Sequence, residues 1–224
     1  MFKTKLSQFP ASGEFYTSKV VDRHIGAIAA LILISLLSSW TGTPSVHAIS
    51  NFWEGFLWGV ADPVINSNCL VGIVAVGLLS AIFVRGALIV GYFVLAVVLG
   101  IIIHSLELNL PGTEIVISVS TIFLSTMLMM PNQVNFIVLA VMAVGVGLFQ
   151  GYAHGQSMIG TEIITLVTYI LGITLTQVAV AMSVREIGSA MGMGEINRIS
   201  PWKINIAGWC LCAIAIVFLS NSII

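Results

Sequence analysis

Charged residues are scarce in this chain, where Lys, Arg, Asp and Glu make up 8% of 224 residues, against about 25% in soluble globular domains. Cysteine is also rare, with three residues. We expect free thiols, because Cys69 is distant in sequence and Cys210 and Cys212 point to different sides of one helix. Phosphate-binding loops, Gly-x-Ser-x-Gly and His-Glu-x-x-His patterns are all missing, so neither an enzyme nor a nucleic-acid-binding protein is expected.

What the chain has instead is apolar sequence: 58% of its residues are hydrophobic and the mean hydropathy is +1.08. Lipid is therefore the expected solvent, and spans of about 20 residues leave room for six or seven helices. The predicted fold is all-α, a polytopic helical membrane protein with six transmembrane helices after an N-terminal signal segment. The six apolar stretches cover residues 66–84, 86–106, 114–130, 134–154, 162–184 and 204–220.

Residues 1–48 form the predicted signal segment, and residues 49–224 the six-helix transmembrane domain. A basic, polar stretch precedes an apolar run from Ile25 to Leu37, which is typical of a signal peptide. The small residues Val46 and Ala48 favour cleavage before Ile49. An uncleaved signal anchor is the alternative.

The segment between the signal and the first span, residues 51–60, is amphipathic and rich in Trp and Phe. These side chains suit the membrane interface, where we expect the segment to lie. Turns are predicted where Gly, Pro, Asn and Asp cluster, at 62–63, 85–86, 111–112, 131–132, 155–160 and 185–201.

Charge is distributed unevenly between the loops. If residue 49 lies outside, the alternation of spans places all eight Lys and Arg in the cytoplasm, as the positive-inside rule requires. The C-terminus should then face outward. The charged residues predicted at the outer helix ends are all acidic and would attract cations: Glu54, Asp62, Glu107, Glu114 and Glu162. The alternative is that acidic residues are simply tolerated at the outer face.

Asp62, Asn66 and Cys69 are spaced i, i+4 and i+7, so one helix would carry them as a polar stripe. Ionisable side chains within the membrane usually face a bundle interior or a polar pathway. The structural alternative is that Asp62 caps the helix, with Pro63 at its first position. That alternative does not account for Asn66 and Cys69.

The fourth span ends with two patterns on neighbouring faces. Gly147, Gly151 and Gly155 form a small-residue ridge that permits close helix packing. Gln150 and His154 lie beside it at i and i+4. Imidazole is a common ligand of nickel, cobalt and zinc, while a lone interfacial histidine is more often a polar anchor.

His104 and Glu107 make a third polar pair, at i and i+3 near the outer end of the second span. A histidine oriented by a carboxylate is common at metal sites. For His104 an ordinary interfacial ion pair is the preferred interpretation.

These motifs resemble the HupE/UreJ family of membrane proteins over nearly the whole mature chain. Members have a cleaved signal, six spans, a motif HPxxGxDHLLAMxAVGLW, a later HGxAHGxE and an acidic residue after a Pro-Gly turn. The corresponding segments here begin at Asp62-Pro63, at Gln150-Gly151 and at Pro111-Gly112. His154 and Glu114 match the family pattern directly. At its other polar positions this chain has Asp62 for His, Asn68 and Cys69 for Asp-His, Gln150 for His and Ser157 for Glu.

The resemblance implies a permease of the bacterial inner (plasma) membrane for nickel or cobalt, with no permanently bound cofactor. Asp62, Cys69, Glu114 and His154 would form the first coordination site, with Asn66, Asn68 and Gln150 as polar neighbours. The alternative is an accessory subunit that transports nothing and packs into a larger membrane complex through the glycine ridge. Lipid and the metal ion are the expected partners, and a helix-mediated oligomer is compatible with the ridge.

Overall fold

The computed structural model describes residues 51–108, 110, 112–158, 161–190, 193 and 201–223. This part of the chain contains seven α-helices and no strand, which confirms the all-α prediction for it. The predicted signal segment lies outside the described residues. The helices are α1 (Phe52–Ile65), α2 (Ser67–Ser80), α3 (Gly86–Ser105), α4 (Thr113–Met129), α5 (Phe136–Gly155), α6 (Ile163–Ala190) and α7 (Pro201–Ile223).

Four helices are long and apolar enough to cross a membrane: α3, α5, α6 and residues 204–222 of α7. A fifth span results if α1 and α2, which meet at an angle of 75°, are counted as one broken span. Helix α4 is apolar but has only 17 residues. Six full-length spans are therefore not confirmed, although every predicted stretch contains a helix.

Helix α2 lies at the centre of the bundle, and every residue in it except Asn68 is buried. A helix that is apolar on all sides is expected to be surrounded by other helices. The remaining six helices pack as three pairs, α3 with α5, α1 with α6 and α4 with α7, and α2 contacts members of all three. The hydrophobic core therefore follows α2 through the bundle.

Glycines bring the paired helices into backbone contact. A Cβ added to Gly147 would lie 2.4 Å from the carbonyl oxygen of Phe93, and one added to Gly151 would lie 1.9 Å from that of Val97. The predicted glycine ridge is thus confirmed as a close-packing surface. Its neighbour is α3 of the same chain, so the ridge is covered and does not provide the intermolecular interface that the accessory-subunit hypothesis assigned to it.

The pair of α1 and α6 is built in the same way. A Cβ on Gly59 would lie 2.2 Å from the carbonyl oxygen of Tyr169, and one on Gly172 would lie 2.5 Å from that of Phe56. Residues 51–60, which were predicted to lie at the membrane interface, begin a helix that continues to Ile65 and packs along α6.

The break between α1 and α2 falls at Asn66, whose side-chain oxygen accepts a hydrogen bond from the Cys69 N–H at 3.3 Å. Asn66 is the N-cap of α2, a position where Asn is favoured because it satisfies a free helix N–H. The predicted turn at Asp62-Pro63 was wrong, since both residues lie inside α1. For the same reason Asp62 does not cap a helix, and Asp62, Asn66 and Cys69 do not share one helical stripe.

The two ends of the bundle differ in charge. Arg185 donates from Nη2 to the carbonyl oxygen of Val84 at 3.5 Å, so Arg85 and Arg185 lie at one end. Helix α6 continues past Arg185 to Ala190, where a loop was predicted. The first turns of α1 and α4, the end of α3 and the start of α6 meet at the other end, and the acidic residues Glu54, Glu107, Glu114 and Glu162 lie there.

Candidate functional site

The broken span brings Asp62 of α1 against the ends of two other helices. His154, in the last turn of α5, has Nδ1 3.2 Å from Asp62 Oδ2. Tyr169 of α6 donates its hydroxyl to the same carboxylate oxygen and lies 3.2 Å from the carbonyl oxygen of His154. Three helices are therefore joined at one carboxylate.

The side chains of Asp62 and His154 differ in solvent exposure. His154 is 2% exposed, whereas the Asp62 side chain is 23% exposed. A carboxylate can only accept, so in a neutral His154 the proton is on Nδ1 and Nε2 carries the lone pair. Nε2 is buried and has no hydrogen-bond partner among the described residues. Asp62 therefore orients the ring so that the Nε2 lone pair points away from the carboxylate.

Cys69 is the third chemically active group at this position. It lies in the first turn of α2, is 1% exposed, and has a free thiol. Its side chain interacts electrostatically with His154 and with Tyr169. Within the described part of the chain, no group of three or more His, Cys, Asp or Glu side chains is arranged so that it could hold a metal ion.

Gln150 and Asn68 lie next to Cys69. Gln150 is fully buried and donates from Nε2 to the Cys69 carbonyl oxygen at 3.3 Å. Asn68 donates from Nδ2 to the Ser118 hydroxyl at 3.2 Å. Gly72 makes room for this arrangement, because a Cβ there would lie 2.2 Å from Gln150 Nε2.

Two of the predicted residues are exposed, and only one of them contacts the group. Glu114 is exposed in the first turn of α4, and no described contact joins it to Asp62, Cys69 or His154. Asn66 is exposed and its side chain caps α2. The structure therefore brings together Asp62, Cys69, His154 and Gln150, with Asn68 and Asn66 beside Cys69, and leaves Glu114 outside.

His104 belongs to a neighbouring contact. Its ring packs edge-on against Tyr152, with the centroids 4.4 Å apart. Its Nδ1 is buried and has no partner among the described residues, and Glu107 is exposed. The predicted ion pair of His104 with Glu107 is not present in this structure.

Sequence reasoning missed Tyr169 and Ser118, the hydroxyl partners of Asp62 and Asn68. For Tyr169 a signal was available, because a tyrosine within an apolar span needs a partner for its hydroxyl. Ser118 gave no such signal, since serine in a membrane helix usually bonds to its own backbone.

A match to a known protein family covers most of the chain. The sequence profile of the family described as HupE / UreJ protein matches residues 28–218. This chain belongs to the HupE/UreJ family. Together with the apolar helices, membership makes it a multi-pass membrane protein. Comparison with curated proteins found no match, and comparison with solved structures found none either.

The HupE/UreJ match includes the group formed around Asp62, Cys69 and His154. The match spans α1 to α6 and nearly all of α7. The helices that carry Asp62, Cys69, His154 and Gln150 therefore all lie within the matched region. The match also begins inside the apolar run that was assigned to the signal segment.

Proposed function

We propose that this protein is a permease through which a divalent transition-metal cation, nickel or cobalt, enters the cell. The HupE/UreJ family is linked to nickel or cobalt transport or to accessory roles. In α-helical transporters, discontinuous spans often form the substrate site. Here the break between α1 and α2 lies next to the group of Asp62, Cys69 and His154.

The observation that carries the proposal is the state of the His154 ring. Asp62 holds Nδ1, and Nε2 is buried without a partner among the described residues. At metal sites a ligating histidine commonly donates its other N–H to a carboxylate, which fixes the ring and raises its basicity. In this proposal His154 Nε2 binds the cation, and Asp62 orients the ring and contributes negative charge.

Cys69 would supply the second donor. A thiolate and an imidazole together suit borderline and soft divalent metals better than magnesium or calcium, which prefer oxygen. Gln150, bonded to the Cys69 carbonyl, fixes the first turn of α2 behind the thiol. Because two protein donors leave positions for water, the cation would be held weakly enough to move on.

The exposed carboxylates would act earlier in the passage. Glu54, Glu107, Glu114 and Glu162 lie at the end of the bundle that is nearer to Asp62. A cluster of negative charge raises the local concentration of cations. In this proposal the acidic end faces outward and the end with Arg85 and Arg185 faces the cytoplasm of a bacterial inner membrane. The C-terminus is then outside.

The membrane potential is a sufficient driving force. At about 2.3 kcal/mol per charge per 100 mV, a divalent cation gains roughly 4.6 kcal/mol on entry. No nucleotide-binding motif is needed.

The test is uptake of nickel and cobalt, with zinc and manganese as comparisons, by metal-starved cells that express the chain. We expect His154→Gln to abolish uptake and Asp62→Asn to weaken it about 10–100-fold, the usual effect of losing a carboxylate behind a metal-bound histidine. His104→Gln is the matched control, because His104 lies at the same end of the bundle and packs on Tyr152, but no carboxylate among the described residues orients its ring as Asp62 orients that of His154. It should retain uptake.

The accessory-subunit hypothesis gives the opposite result. Cells with the parent chain would then accumulate none of the four metals, although the protein reaches the membrane. Equal uptake by the parent and His154→Gln would also refute the proposed site.

A further inference from the structure

Gln177 is a buried polar residue that the site described above does not use. It lies in the middle of α6, is 0% exposed, and neither its Nε2 nor its Oε1 has a hydrogen-bond partner among the described residues. An unsatisfied amide in an apolar interior is costly, so its presence calls for a function.

The position of Gln177 follows from contacts on either side of it along α6. Towards the acidic end, Tyr169 bonds to Asp62 and Ile173 lies against Gly59. Towards the basic end, Ala181 lies against Gly77. Gln177 therefore lies on α6 between the part that packs against α1 and the part that packs against α2. This is the height at which the broken span turns by 75°.

The same row of α6 links Gln177 to the outer site. Tyr169, Ile173, Gln177 and Ala181 follow one another at i+4 spacing and are all buried. Eight residues of helix separate Tyr169 from Gln177, which is about 12 Å along the axis. A cation released from His154 towards the opposite side would meet Gln177 as the next unpartnered polar side chain on this face of α6.

We propose that Gln177 is a second, inner contact for the transported cation, which receives it, still partly hydrated, from the Asp62, Cys69 and His154 group. This inference rests on the proposed permease function. An amide oxygen is a weak ligand, and its N–H2 can bond to water in the ion's shell. Weak, successive contacts let an ion leave as readily as it enters.

The experiment separates binding from passage in the full-length protein. Purified parent, Gln177→Leu and Ser125→Ala proteins are titrated with Co2+ and followed by absorption and calorimetry, and the same variants are assayed for cobalt uptake in cells. Ser125→Ala is the matched control, because its buried hydroxyl already bonds within its own helix to the Thr121 carbonyl at 2.8 Å.

We expect Gln177→Leu to bind Co2+ like the parent but to lower the maximal uptake rate about tenfold, with the half-saturating concentration unchanged. Ser125→Ala should leave both unchanged. If Gln177→Leu does not insert, Gln177→Met, which keeps the side-chain length, is measured in its place. Failure of both to insert would mark a structural role and overturn the inference.

The outcomes distinguish the two proposals. Parent-like uptake by Gln177→Leu, with the parent active, would overturn the inner contact and leave the permease intact. Absence of uptake by the parent would overturn both. Loss of Co2+ binding in Gln177→Leu would also refute a separate inner contact.

Discussion

Replacement of Gly151 by alanine should disrupt the seam between α3 and α5. The added Cβ would lie 1.9 Å from the carbonyl oxygen and 2.6 Å from the carbonyl carbon of Val97, where ordinary contact begins at 3.4 Å. The atoms must therefore separate by roughly 1.5 Å, and both partners are backbone, so no side chain can rotate away. Overpacking of this kind costs about 1–3 kcal/mol.

Gly145 provides the control in the same helix. A Cβ there would meet nothing within 4 Å among the described residues, and Gly→Ala within a helix adds about 0.5–1 kcal/mol of stability. The melting temperature of Gly151→Ala should lie below that of the parent, and that of Gly145→Ala above it. The two changes together separate the variants by about 1.5–4 kcal/mol, so at roughly 2–4 °C per kcal/mol for a domain of this size their melting temperatures should differ by about 3–16 °C.

The assay is thermal unfolding of purified protein in detergent, followed by circular dichroism. In a Cys210→Ser, Cys212→Ser background it is also followed by the reaction of Cys69, which is buried in the folded state. Gly151→Ala should expose this thiol at a lower temperature than the parent. Melting of Gly151→Ala and Gly145→Ala at the same temperature would refute the backbone seam.

Two further changes address the surroundings of the site. Gly72→Ala would place a Cβ 2.2 Å from Gln150 Nε2 and force the amide away from the Cys69 carbonyl. We expect a loss of about 0.5–1.5 kcal/mol in unfolding free energy and weaker Co2+ binding. In the control Gly91→Ala the added Cβ meets nothing within 4 Å, so stability should rise by about 0.5–1 kcal/mol and Co2+ binding should be unchanged. Tyr169→Phe removes the hydroxyl that bonds to Asp62 and to the His154 carbonyl. The free energy of unfolding should fall by about 1–3 kcal/mol, while Co2+ should still bind. Abolished Co2+ binding in a folded variant would show that Tyr169 is itself a ligand.

The helical parts of this fold could be predicted from hydropathy because lipid imposes long apolar runs. The break at Asn66 could not, because a bend changes no residue's polarity. One local signal was present: Asn66 precedes Cys69 by three residues, the spacing at which an N-cap side chain meets a helix N–H. Asp62-Pro63 led to a wrong position for the helix start, because proline commonly occupies the first position of a helix. In this structure Pro63 lies in the last turn of α1.

The site was predictable where a motif lies on one helix and less so where helices meet. Gln150 and His154 share a face of α5, and their spacing alone indicated this. The pairing of His154 with Asp62 joins residues 92 positions apart, and spacing carries no information over that distance. Glu114 matched the family pattern and still lies apart, because a helix start fixes the position of the backbone but not the direction of an exposed side chain.

The glycine seams give the contact between Asp62 and His154 a further meaning. Asp62 is carried by α1, which is fixed to α6 backbone to backbone, and His154 by α5, which is fixed in the same way to α3. The 3.2 Å between Nδ1 and Oδ2 therefore spans two helix pairs that are each internally rigid. A single interatomic distance thus records how one helix pair is positioned relative to the other, and a probe at either residue would report any change between the two pairs.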